Sequence, residues 1–267
     1  SDGTKVSYAY DVMGNRISMK GSEGETSYTT DKAGNITSVT QLGRKTEYTY
    51  DDCARLSGIT YADGTSVTYE YDLNDRLIKV TDNGETTQYT YDKTGNVIKT
   101  VRSSGINTQY TYDEQSRLVK LVNTRDGEIL SSFSYTYDKA GNVISEDAVS
   151  SETSAHMDYV YDNSSQLIKY RRITDSSNEE YTYTYDKSGN RTRLVKTGVE
   201  QPETIEYTYN SSNQLVCEES TVSGKTEYAY DANGNLIRKS NGSDTYTYEY
   251  TVDLKLKAVR KGGSLLM

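Results

Sequence analysis

The sequence has no tryptophan, one phenylalanine (Phe133), one proline (Pro202) and one histidine (His156). With 33% hydrophobic residues over 267 positions, it has little of the material from which one ordinary globular core is built. No apolar run approaches the ~20 residues of a membrane-spanning helix, so membrane insertion is not expected. The two cysteines, Cys53 and Cys217, lie far apart and form neither a disulfide framework nor a metal knuckle. With one histidine, in the polar stretch from Ser150 to His156, a nucleophile–base pair lacks its base, and His156 reads as a loop bystander. Phosphate-cradling glycine motifs and zinc spacings are absent as well, so no enzyme activity and no cofactor are expected. Positive charge is in deficit: the net charge of −9 repels phosphate backbones and anionic lipid, which disfavours a nucleic-acid partner. The basic patches Lys169-Tyr170-Arg171-Arg172 and Lys255 to Lys261 read as solvated edges.

Tyrosine is what the chain has, 27 residues of it. A polar chain rich in one aromatic has the composition of a disordered segment, but strict spacing argues otherwise. Tyr-x-Tyr-Asp, or a one-residue variant, occurs twelve times at intervals of 20 to 25 residues and holds 23 of the 27 tyrosines. Intact copies are Tyr8, Tyr10 and Asp11; Tyr48, Tyr50 and Asp51; Tyr69, Tyr71 and Asp72; Tyr89, Tyr91 and Asp92. They continue as Tyr110, Tyr112 and Asp113; Tyr135, Tyr137 and Asp138; Tyr159, Tyr161 and Asp162; Tyr183, Tyr185 and Asp186; Tyr228, Tyr230 and Asp231. Degenerate copies end at Asp31, Asn210 and Thr251.

Each copy reads as a β-hairpin. Tyrosines two apart around a Thr or similar residue suit a strand with both rings on one face. Asp then opens a turn by accepting a backbone N–H two residues on, and Gly three residues later supplies a positive φ. Gly95-Asn96, Gly141-Asn142, Gly189-Asn190 and Gly234-Asn235 carry that signature. Units with the glycine alternate, from Asp72 onward, with units that lack it, such as Ser116-Arg117 and Ser165-Gln166. The fifth residue after the motif Asp is aliphatic in ten of twelve units; Arg16 and Arg191 are the exceptions. Second turns at Asp63-Gly64, Asn83-Gly84, Asp126-Gly127 and Asn241-Gly242 return the chain for the next copy.

This pattern predicts an all-β chain of about 24 strands without a long helix. Because single hairpins are marginal in water, they are expected to join into one curved, open antiparallel sheet with a solvated interior. In the Asp92 hairpin, a three-residue loop predicts Tyr91 opposite Val97, Tyr89 opposite Lys99, and Thr90 opposite Ile98. The aspartate column invites a Ca²⁺ reading, but an Asp that bonds its own turn needs no ion, and no metal site is expected.

Repeats of this form resemble the YD or Rhs repeats of bacterial Rhs and wall-associated proteins, insecticidal toxin-complex components and teneurins. The resemblance runs from about Val6 to Ala258. It implies tandem hairpins wound as a spiralling sheet, the wall of a hollow shell around a toxic or variable C-terminal domain, in a secreted or cell-surface protein. The Asp-Pro motifs of the family's self-cleaving core are missing, since Pro202 follows Gln201, and autoproteolysis is not implied. The chain, 1–267, is therefore expected to be a single repeat array cut from a larger protein. Its partners would be flanking repeats and an enclosed domain. The alternative is an extracellular module that binds carbohydrate or a partner protein through exposed rings.

Overall fold

A computed structural model describes residues 5–21, 24–251 and 254–267. Among these residues no helix occurs, and the regular elements are 25 strands. The chain divides into two compact units, Ser1–Leu130 and Ser131–Met267.

The first unit opens with β1 (Ser7–Tyr10), β2 (Arg16–Gly21), β3 (Gly24–Thr30), β4 (Ile36–Gln41), β5 (Arg44–Tyr50) and β6 (Leu56–Thr60). It continues with β7 (Ser66–Tyr71), β8 (Leu77–Asp82), β9 (Glu85–Tyr91), β10 (Val97–Arg102), β11 (Ile106–Tyr112) and β12 (Leu118–Arg125). Each strand pairs antiparallel with the next, from β1 to β12. The boundary between units falls inside β13 (Glu128–Tyr137).

In the second unit follow β14 (Val143–Ser150), β15 (Ser154–Tyr161), β16 (Leu167–Thr174), β17 (Asn178–Tyr185), β18 (Arg191–Thr197) and β19 (Glu203–Tyr209). The last are β20 (Leu215–Ser220), β21 (Gly224–Tyr230), β22 (Leu236–Ser240), β23 (Thr245–Tyr250), β24 (Leu256–Lys261) and β25 (Ser264–Leu265). Again each pairs antiparallel with its successor. One strand more than expected arises because Gly262-Gly263, both at positive φ, turn the chain back into the short β25.

Alternation gives each strand two unlike faces. Tyrosines and aliphatics share one; the residues between them share the other, where cross-strand pairs such as Glu70–Lys79 (2.7 Å) and Glu206–Arg193 (2.7 Å) form. Burial on the tyrosine face is shallow. Among the described residues no large side chain is fully buried, and the buried apolar ones are Met157, Leu194, Tyr207 and Ala258. Small polar residues such as Thr26, Thr100 and Thr108 are buried on this face too, and Ser38 on the other. Stability therefore rests on repeated half-buried contacts and on the backbone ladder.

The ladder confirms one part of the expected register and corrects the rest. Tyr91 faces Val97, Tyr112 faces Leu118 and Tyr137 faces Val143. A β-bulge then inserts Ile98, so Tyr89 faces Thr100, not Lys99, and Thr90 faces Lys99, not Ile98. Its equivalent recurs in each hairpin, as between Thr111 and Tyr112 or Thr184 and Tyr185. The Lys169 to Arg172 patch is not a solvated edge either. It lies in β16, paired on both sides, with Lys169 bonded to Glu180 (2.7 Å) and Arg172 paired with Glu179 (3.6 Å).

Candidate functional site

The repeat motif is the site to build, beginning with its turn. In every intact copy the second tyrosine ends a strand and the aspartate opens the turn. Asp92 Oδ1 accepts the N–H groups of Thr94 (2.9 Å) and Asn96 (2.8 Å), and Oδ2 accepts Asn96 Nδ2 (3.0 Å). The same two-residue and four-residue N–H bonds reach Asp11, Asp31, Asp51, Asp72, Asp113, Asp162, Asp186 and Asp231, and also Asn210. Asp138 accepts the N–H and Nδ2 of Asn142, both at 2.9 Å. At Asp11, Asp31, Asp92, Asp186 and Asp231 the asparagine side chain and N–H engage both carboxylate oxygens within the turn.

The bonds favour the ionised carboxyl at nine of these aspartates. At Asp11, Asp31, Asp138, Asp186 and Asp231 the asparagine side chain four residues on is the largest cause of a lowered pKa. Arg55 and Arg76 play that part at Asp51 and Asp72. At Asp113 the Arg117 backbone N–H leads. Asp92 is partly withdrawn from water, which opposes ionisation, but the side chains of Thr94 and Asn96 and their N–H groups bring it down to about 2.

Glycine alternates with polar residues at the third turn position. That position is left-handed in both kinds of unit: φ is 95° at Gly95 and 84° at Gly189, but also 59° at Ser116 and Ser165 and 57° at Asn213. What differs is the side chain arriving from the preceding turn. Asn96 Nδ2 donates to Ser116 Oγ (3.1 Å), Asn142 Nδ2 to Ser165 Oγ (3.2 Å) and Asn190 Nδ2 to Asn213 Oδ1 (2.9 Å). After the Ser165 and Asn213 units the arriving residue is a glutamine, whose Nε2 would lie 3.2 Å from a Cβ at Gly189 and 3.3 Å from one at Gly234. At these positions a short Asn meets a polar side chain and a longer Gln meets a glycine; near the start of the array Asn15 lies beside Gly34 instead.

The tyrosines link the hairpins. The ladder between β10 and β11 stops at Lys99 and Gln109, leaving Tyr110 to Tyr112 paired toward β12. Tyr112 crosses that gap and donates its hydroxyl to the Val97 carbonyl (2.9 Å). Tyr50, Tyr71, Tyr91, Tyr185, Tyr209 and Tyr230 donate likewise to the carbonyls of Ile36, Leu56, Leu77, Leu167, Arg191 and Leu215, at 2.6–3.0 Å. Each acceptor is the fifth residue after the preceding motif Asp. Burial raises the hydroxyl pKa at Tyr50, Tyr91, Tyr112, Tyr185, Tyr209 and Tyr230, keeping them protonated donors.

Where arginine replaces the aliphatic fifth residue, it covers a ring instead. Arg16 lies 4.5 Å from the Tyr28 centroid, and Arg191 lies 4.5 Å from that of Tyr207. The first tyrosine of each pair contacts a column that period and composition did not reveal, the eighth residue after the motif Asp. Tyr48, Tyr69, Tyr110 and Tyr183 face Ile59, Val80, Leu121 and Leu194 across the ladder. Tyr135, Tyr159 and Tyr228 face Glu146, Tyr170 and Lys239, which disguise the column in sequence.

His156 is not in a loop. It sits in β15, where Nδ1 meets Asp147 (2.7 Å) across the ladder and Nε2 meets Asp158 (3.0 Å) on its own strand. Asp147 first, and Asp158 with it, raise its pKa against a smaller effect of burial.

Fold and motif together define a tandem β-hairpin repeat protein whose neighbouring hairpins are linked through tyrosine. The chain matches the Teneurin YD-shell family over residues 2–82 and 123–251, well over half its length, and belongs to that family. It also matches the RHS Repeat over residues 71–106 and 91–129. In fold it is similar to the crystal structures of TcdB2-TccC3 (TM-score 0.71, 18% identity) and TcdB2-TccC3-TEV (TM-score 0.70, 18% identity). Each likeness covers 96% of this chain and 17% of the other. TcdB2-TccC3-Cdc42 is similar at TM-score 0.65 and 16% identity, over 97% of this chain and 18% of the other. The chain thus spans less than a fifth of each of these structures. No curated protein sequence matches it significantly.

Proposed function

We propose that this chain is non-catalytic wall material, part of a β-shell in a secreted or cell-surface protein whose shell encloses a C-terminal toxin or effector domain. The observation that carries the reading is the tyrosine link, made at least seven times among the described residues with the same donor and acceptor positions. A bond from each hairpin to the one before extends a sheet by as many repeats as the gene encodes. The uninterrupted motif spacing supports one array across residues 1–267, with flanking repeats as its partners. In this reading the motif tyrosines and aspartates are structural. A carbohydrate-binding array needs free ring faces, whereas the second tyrosine of the pair is committed to its neighbour.

Limited proteolysis of the natural polypeptide that carries these repeats tests the proposal. The account expects the segment C-terminal to the repeats to resist added protease in the native protein and to be degraded once the repeats are unfolded. Cleavage of that segment at the same rate in both states would overturn it.

A further inference from the structure

The second unit carries a groove of about 430 Å³ on its tyrosine face. Phe133 and Met157 lie on its apolar side, and Tyr159, Tyr170, Glu146 and Arg172 bring aromatic and charged groups to it. The ladder explains the gathering. Glu146 faces Met157, Met157 faces Arg172, and Tyr159 faces Tyr170 across successive strands. The two tyrosine rings are 5.4 Å apart and tilted by 36°. Phe133, the chain's single phenylalanine, stands where a hydroxyl-free ring meets the apolar side.

Glu146 is the odd member. Its side chain is half-buried, and among the described residues it accepts the Tyr159 hydroxyl at 3.1 Å and has no cation in ion-pair reach. Arg172 is paired with Glu179 on β17, not with Glu146. The carboxylate sits amid aromatics, and after burial its charge is a cause of the raised pKa of Tyr135 and Tyr159. Elsewhere on this face Glu203 holds Lys196 at 2.5 Å, while Glu218, outside this groove, accepts the Tyr228 hydroxyl at 2.7 Å. A half-buried anion beside ring faces and an apolar floor matches one side-chain chemistry, a flat delocalised cation on an apolar stem.

We propose that this groove binds an arginine side chain of a partner polypeptide, its guanidinium on Glu146 and the tyrosine rings and its stem on Phe133 and Met157. The proposal does not depend on the shell reading, because it concerns one groove and requires no enclosed domain.

Phe133 supplies the reporter. With phenylalanine ring ¹³C-labelled, the chain shows one set of ring resonances, and these sit at the groove. Titration with N-acetyl-arginine amide is expected to give a saturable shift of those resonances, and the neutral isostere N-acetyl-citrulline amide none. Glu146→Gln keeps an acceptor for Tyr159 and should weaken the arginine response roughly tenfold or more. Glu218→Gln removes an equal charge beside another tyrosine hydroxyl, that of Tyr228, and should leave the response unchanged. An equal response to citrulline, an absent arginine response, or an undiminished response in Glu146→Gln would each overturn the assignment. The arginine–citrulline contrast is read on the unmodified chain and so stands even if a variant fails to fold.

Discussion

The two ends of each hairpin follow different rules. At the motif end, the residue in the aspartate position donates its N–H to the carbonyl four residues on in all twelve turns, at 2.8–3.0 Å. Degenerate turns that begin with Asn210 or Thr251 keep that bond. At the far end, Leu42-Gly43 and Asn83-Gly84 are tight turns with both residues at positive φ, whereas Ser150 to Thr153 and Thr174 to Ser177 close wider loops. The spacing of 20 to 25 residues therefore varies at the far end while the motif end stays constant. Hairpins are coupled at the constant end, where tyrosine and the fourth turn residue reach their neighbours. Length and local chemistry diversify at the other.

The comparison breaks most visibly at Gly198, a far-end residue with no room for change. At φ +70° a Cβ there would lie 1.8 Å from the Asn178 carbonyl oxygen. Gly198→Ala should destabilise the chain by about 2–4 kcal/mol in chemical denaturation, from backbone strain and overpacking together. A change near zero would show that the far end yields even there.

The motif end should be sensitive in a direction set by the preceding turn. Gly189→Ser forces a left-handed serine and crowds Gln166, and should cost about 1–2 kcal/mol. Ser165→Gly removes only an exposed acceptor for Asn142 and should cost less than about 0.5 kcal/mol. Equal costs would refute the pairing of adjacent turns. A gain is expected at Thr100, whose buried hydroxyl has no partner although its equivalents include Val39, Ile59 and Val80. Thr100→Val should stabilise by about 1 kcal/mol, measured in the same way.

Much of the motif end was legible because Asp, Gly and the aliphatic fifth residue each have one dominant local reason to be there. Tyr91 opposite Val97 follows from that spacing alone. The bulge at Ile98 was hidden, since its extra residue is a β-former like its neighbours and leaves no compositional mark. Missing it displaced Tyr89 and Thr90 by one partner each. The left-handed Ser116 was equally hidden, because what accommodates it, the Asn96 amide, belongs to the previous repeat. Glu146, Tyr170 and Lys239 concealed the column facing the first tyrosines. His156 looked like a loop residue because the surrounding serines and threonines suit turns and exposed strands alike.

A smaller effect separates the ends by pH. Asp147 and Asp158 raise the pKa of His156 in the folded chain above its ordinary 6.5, with Arg171 opposite Asp158 on the neighbouring strand. Its stabilisation is then fully present below about pH 6.5 and is lost as pH rises through the folded value. Asp11, Asp31, Asp51, Asp72, Asp92, Asp113, Asp138, Asp186 and Asp231 have lowered pKa values, so their contribution is present above about pH 4 and is lost as pH falls through the folded values, about 2 at Asp92. Denaturation midpoints across pH should fall on both sides, and His156→Asn should remove the upper limb while leaving the acid limb. An unchanged upper limb would remove His156 from the account.

The claim that hairpins are coupled at the motif end is tested most directly by hydrogen exchange on Tyr209→Phe, which deletes only the hydroxyl bonded to the Arg191 carbonyl (3.0 Å). The loss should be about 0.5–1.5 kcal/mol. Amide exchange should accelerate at the motif ends of the two hairpins that bond joins, around residues 186–191 and 209–215, with the far ends at 197–203 and 220–224 unchanged. Acceleration confined to the Tyr209 hairpin, or spread evenly over both ends, would contradict coupling through the tyrosine.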